Sequence, residues 1–159
     1  MKIKNIAKLI LAIFVCQIAG AIGSMFTFSS IPTWYATINK PSFTPPNWLF
    51  GPVWITLYTL MGISLYLIWN KGLENKEVKS SLFIFSAQLA LNALWSILFF
   101  GLKSPFYAFV EIIILWIAIA VTIFKFYKIS KNAGLILLPY IIWVSIALTL
   151  NFYVCILNT

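Results

Sequence analysis

Five long apolar runs alternate with short polar segments from one end of the chain to the other. They fall at residues 9–28, 48–69, 82–100, 105–124 and 133–157, each close to the ~20 apolar residues that carry a helix across the hydrocarbon core. The polar connections at 29–47, 70–81, 101–104 and 125–132 are too short to fold independently. The pattern predicts an all-α integral membrane protein, a bundle of five transmembrane helices forming one domain over residues 1–159. The first run has a basic start and small residues at Ala19, Gly20 and Ala21, as in a signal peptide, but membrane-grade sequence continues after it, so it reads as the first span. No internal repeat divides the chain into the matched halves of repeat-built transporters.

Polar and aromatic residues inside the spans fall on stripes. Trp54, Tyr58, Met61 and Leu65 share one face of the second span by i, i+4, i+7, i+11 spacing. In the third span Gln88, Asn92, Trp95, Ser96 and Phe99 form a second stripe, and in the fifth Trp143, Ala147, Leu150 and Asn151 form a third. Amides are costly in hydrocarbon unless satisfied, so these stripes face other helices. Two readings fit: hydrogen bonding between packed helices, or an apolar pocket in which indoles form walls and a few polar groups orient a ligand. Span one carries Ala12, Cys16, Gly20 and Ser24 at four-residue spacing, a ridge suited to close helix packing or dimerisation. Glu111 is the one acid within a span and is read either as functional or as snorkelling or pairing with Lys103.

The 25-residue segment from Trp34 to Tyr58 holds four prolines, three tryptophans and two tyrosines. Thr44 is predicted to cap the second helix with Pro45 at its first position, and Pro41, Pro45 and Pro46 stiffen the loop before it. Trp34 and Trp48 also suit an interfacial aromatic belt.

Composition agrees with a membrane chain: 62% of residues are hydrophobic and 9% charged, and the mean hydropathy is +0.99. The net charge of +8 comes from lysines between the apolar runs. Lys2, Lys4, Lys8, Lys71, Lys76, Lys79, Lys125, Lys128 and Lys131 fall on one side and only Lys40 and Lys103 on the other. The positive-inside rule puts the N-terminus in the cytoplasm, in a multi-pass protein of the cytoplasmic membrane. Nucleic acid is not an expected partner, because no basic stripe interleaved with aromatics occurs. Two cysteines and no histidine leave no metal site to expect. Catalytic triads, Cys-His pairs and phosphate-binding loops are missing as well.

Several motifs together resemble the translocator-protein family, the tryptophan-rich sensory proteins also called peripheral-type benzodiazepine receptors (TspO/MBR). They are Trp34-Tyr35, KPSFTPP from Lys40, FGPVW ending at Trp54, QLALNALWS from Gln88 to Ser96, and PYIIW from Pro139 with Ala147 and Leu150-Asn151 beyond it. The resemblance implies five tightly packed helices, a first loop folded over a pocket, a homodimer, and porphyrin, haem or other flat hydrophobic ligands. It places Tyr35, Trp54, Asn92, Trp95, Trp143, Ala147 and Leu150 in that pocket, and stripe position adds Tyr58 and Ser96. Trp34, Lys40, Pro45 and Pro46 would cap it from the loop. The chain departs from the animal cholesterol motif, since Leu150 and Tyr153 are followed by no basic residue. The function expected is a receptor or sensor for tetrapyrroles within the lipid membrane, with no required cofactor. The alternatives are a light-dependent breakdown of porphyrin involving Trp54 and Trp143, and a tetrapyrrole or lipid transporter.

Overall fold

The computed structural model describes residues 3–159, so Lys2 lies outside the described residues. Helix α1 covers Ile3–Ser30, a single turn α2 covers Trp34–Thr37, and α3 covers Asn47–Trp69. Helix α4, Lys76–Ser96, runs into a π turn at Ile97–Gly101; α5 is Pro105–Ile129, α6 is Lys131–Ile136 and α7 is Leu138–Leu157. Among the described residues five stretches are long and apolar enough to cross a membrane, the last comprising α6 and α7 together. Helix α1 packs on α3 and α4, α5 packs on α4 and α7, and α6 fits against α3 and α5.

The helices outrun the apolar segments that predict them, because a helix ends where its hydrogen bonding ends and not where the hydrocarbon does. Helix α4 begins six residues ahead of the apolar run at Lys76, where the side chain of Asn75 accepts from the Glu77 amide at 2.8 Å. The start of α3 differs from expectation. Thr44 does not cap it: its hydroxyl donates to the Pro41 carbonyl at 2.7 Å, closing a turn, and the helix starts at Asn47 behind Pro46. The fifth span is not continuous either. Pro139 cannot donate to the preceding turn, and the chain breaks at Leu137 between α6 and α7.

Close approach of α1 and α3 rests on Gly62, where an added Cβ would lie 2.4 Å from the Ile13 Cα. The small ridge of α1 serves this internal packing: Ala12 and Cys16 are buried, and the ring of Tyr58 covers Gly20. The buried amides join the spans. Tyr58 OH donates to Asn92 Oδ1 at 2.6 Å, Asn92 Nδ2 donates to Tyr140 OH at 2.6 Å, and Tyr140 OH donates to Gln88 Oε1 at 2.7 Å. At the lysine-rich end, Ser64 Oγ donates to the Ala133 carbonyl at 2.7 Å and ties α3 to α6.

Glu111 neither snorkels nor pairs with Lys103. It is 6% exposed, so it does not snorkel, and Lys103 stands on an exposed connection with a φ of 53°. Neither carboxyl oxygen of Glu111 has a hydrogen-bond partner among the described residues.

Candidate functional site

The residues of the three stripes do not all meet at one place; a subset of them surrounds a cavity of about 410 Å³ between α1, α3, α4 and α7. This volume lies within the ~300–1,000 Å³ of small-molecule sites. Trp54 and Tyr58 supply the α3 wall, Trp95 and Ser96 the α4 wall, and Trp143 and Ala147 the α7 wall. All six are sequence-predicted. Trp95 is anchored, its indole N–H donating to Asn151 Oδ1 at 3.0 Å while Asn151 Nδ2 donates to the Pro105 carbonyl at 2.8 Å. Trp54 lies over Tyr58 with ring centroids 5.5 Å apart, and Tyr58 is held by Asn92.

Other expected residues stand behind this wall. Asn92 is buried, and both ends of its amide are engaged by Tyr58 and Tyr140, so it fixes the wall without lining it. Leu150 is buried in the bundle outside the lining. Tyr35 is buried beneath the loop, edge-on to Phe99 at 6.3 Å and to Phe100 at 5.5 Å, and burial raises its hydroxyl pKa above the ordinary tyrosine value. Trp34 meets Phe99 edge-on at 5.6 Å. Lys40 points back into its own loop: Nζ donates to the carbonyls of Tyr35 at 2.6 Å and Ile38 at 3.0 Å and sits 4.8 Å from the Tyr35 ring centroid. Pro45 and Pro46 lead directly into α3, and neither lines the cavity.

Two contributors escaped sequence reasoning. The first is α1, whose Gln17, Gly20, Ala21 and Ser24 complete the wall. Gly20 and Ser24 lie on the small-residue ridge, which close helix packing alone explains; Gln17 and Ala21 stand beside it. Gln17 Nε2 donates to the Ile55 carbonyl and to Thr59 Oγ1, both at 3.0 Å, and holds α1 to α3 beside the cavity. The second is the π turn. Leu102 N–H donates to the Ile97 carbonyl at 2.8 Å, and the extra residue in that turn lets consecutive Phe99 and Phe100 both face inward. Phe99 stacks on Trp95 at 5.1 Å and Phe100 reaches the cavity wall.

Residues 12–157 match the family model described as TspO/MBR. The chain belongs to the TspO/MBR family. A tryptophan-rich protein TspO of Archaeoglobus fulgidus is 51% identical over 155 residues, 97% of this chain and 99% of the relative. The translocator protein of Homo sapiens is 39% identical over 135 residues, 84% of this chain and 79% of its own length. A tryptophan-rich sensory protein of Cereibacter sphaeroides is 36% identical over 125 residues, 79% of this chain and 77% of the relative. Family membership and the five spans together make this an integral, multi-pass membrane protein. The cavity is therefore an intramembrane one, and the motifs by which the sequence resembles the TspO/MBR family supply most of its aromatic wall.

Proposed function

We propose that this TspO/MBR-family protein is a membrane receptor or sensor whose intramembrane cavity binds a flat, largely apolar ligand, with a porphyrin or haem as the class its walls suit best. The observation that carries the reading is the meeting of Trp54, Trp95 and Trp143 around about 410 Å³. Flat rings stack well on indoles; burial of a large apolar face drives binding from water, and ring packing favours it from the bilayer. Polar orientation comes from Tyr58 and Ser96 on the wall, with Asn92 acting through Tyr58. Histidine is absent from the chain, so a haem would be held by its faces and edges and not by an axial imidazole.

An N-terminus on the cytoplasmic side accords with the lysines. Lys8 lies 5.5 Å from the Trp69 ring centroid, and Lys125 Nζ donates to Ser80 Oγ at 3.1 Å, so the α1 start, the α3–α4 connection and the α5 end share one basic pole.

The test is a dark titration of the detergent-solubilised protein with protoporphyrin IX, following the absorbance of the porphyrin. Saturable binding is expected, weakened about tenfold or more in a Trp54→Ala, Trp143→Ala double variant, as for loss of anchoring aromatics. Unsaturable uptake, or identical curves for the two proteins, overturns the reading. Illumination of the bound complex then separates a receptor, which leaves the porphyrin intact, from an enzyme that consumes it.

A further inference from the structure

Trp143 lines two spaces at once. It borders the cavity described above and also a more open groove of about 480 Å³ between α3 and α7. Val53, Leu57 and Leu60 form the α3 bank of this groove, and Ile142 stands with Trp143 on the α7 bank.

The groove runs along parts of two membrane spans, so its surroundings are acyl chains. Its chemistry selects hydrocarbon. The hydroxyl of Thr56 is used internally, donating to the Pro52 carbonyl at 2.9 Å, and the prolines Pro52 and Pro139 offer no backbone N–H. A helix of a second copy is a poor occupant, because helices in membranes meet over small residues and these banks are bulky and branched.

The partition itself is lightly held. Among the described residues the indole N–H groups of Trp95 and Trp116 are tied to Asn151 and to Ser145 Oγ, whereas the indole N–H of Trp143 has no hydrogen bond. Its ring meets Phe50 edge-on at 6.0 Å. Trp143 is half-buried and, like Trp54, is held by ring packing with no hydrogen bond from its indole, so it lacks the restraint that fixes Trp95 in place.

We propose that the α3–α7 groove docks one acyl chain of a membrane lipid and that the Trp143 indole is the movable partition between that chain and the ligand cavity. When the indole swings aside, the two spaces join and the cavity opens sideways to the bilayer. The role of this side door in ligand exchange rests on the reading of the cavity given above; the docking and the partition are tested without that ligand.

The protein is reconstituted into phosphatidylcholine vesicles whose acyl chains carry bromine, a contact quencher of tryptophan, and compared with unbrominated vesicles. The emission of Trp143 is taken as the difference between wild type and Trp143→Phe, and that of Trp54 as the loss on adding Trp54→Phe to each background. Trp143 is expected to be quenched several-fold more than Trp54 in the wild type, and a groove filled by Leu60→Phe should relieve that quenching. Trp143→Ala should raise quenching of Trp54 several-fold as the chain reaches the cavity, whereas Trp143→Phe, which keeps a ring in place, should not. Quenching of Trp143 that Leu60→Phe leaves unchanged overturns the docking. Equal quenching of Trp54 with and without the Trp143 side chain overturns the partition. Failure of porphyrin to bind in the separate titration overturns only the ligand assigned to the cavity.

Discussion

The hydroxyl of Tyr58 on α3 donates to Oδ1 of Asn92 on α4 at 2.6 Å, and the other end of the same amide donates to Tyr140 on α7. One amide thereby sets the spacing of three spans and the pose of a cavity-wall ring. Tyr58→Phe leaves an acceptor unfilled and is expected to cost about 0.5–1.5 kcal/mol. Asn92→Ala strands the Tyr58 hydroxyl and removes the donor to Tyr140, which keeps its bond to Gln88, and should cost more, about 1–3 kcal/mol. Thermal unfolding in detergent measures both. If the double variant loses no less than the sum of the two, the residues are not coupled.

The glycines divide sharply by what stands over them. Gly62→Ala drives a methyl into the backbone of α1 at Ile13 and is expected to lower stability by about 1–3 kcal/mol, since backbone must shift to admit it. Gly51 borders the cavity, and an added Cβ there meets nothing within 4 Å. Gly51→Ala should hold or raise stability by up to about 1 kcal/mol through helix propensity. The pair compared in one unfolding series separates helix packing from helix propensity.

Glu111 buries a carboxyl with no partner for either oxygen among the described residues. Such a group opposes folding, so Glu111→Leu is expected to raise stability by about 1 kcal/mol or more. A lower unfolding temperature for Glu111→Leu would instead mean that the carboxyl is satisfied by bound water.

The spans were legible because apolar length is a direct requirement of the bilayer, and the indoles at Trp54, Trp95 and Trp143 were legible because helical spacing put them with inward-facing polar residues. What periodicity does not encode is which inward residues touch a cavity and which stand behind it. Asn92 and Tyr58 lie on inward stripes equally well, yet only Tyr58 lines the space. The π turn at Ile97–Gly101 was also hidden, since it adds a residue to the turn that a 3.6-residue period assumes. Lys40 misled for a different reason. It was expected to cap the pocket, but the loop bends so that carbonyls two and five residues back take its ammonium.

The end of the bundle away from the basic pole carries a clasp between distant parts of the chain. The Asn39 amide donates to Asn158 Oδ1 at 2.9 Å, Asn158 Nδ2 donates to the Asn39 carbonyl at 2.9 Å, and Phe43 leans edge-on against Tyr153 at 5.4 Å. Residues 119 positions apart are thus sewn together, and the first loop is fastened to the end of α7. A purification tag or reporter fused after Thr159 would sit on that seam and pull at the first loop, whereas one fused ahead of α1 sits at the opposite pole of the molecule. The choice of terminus for a fusion is therefore itself a perturbation of the loop that borders the cavity.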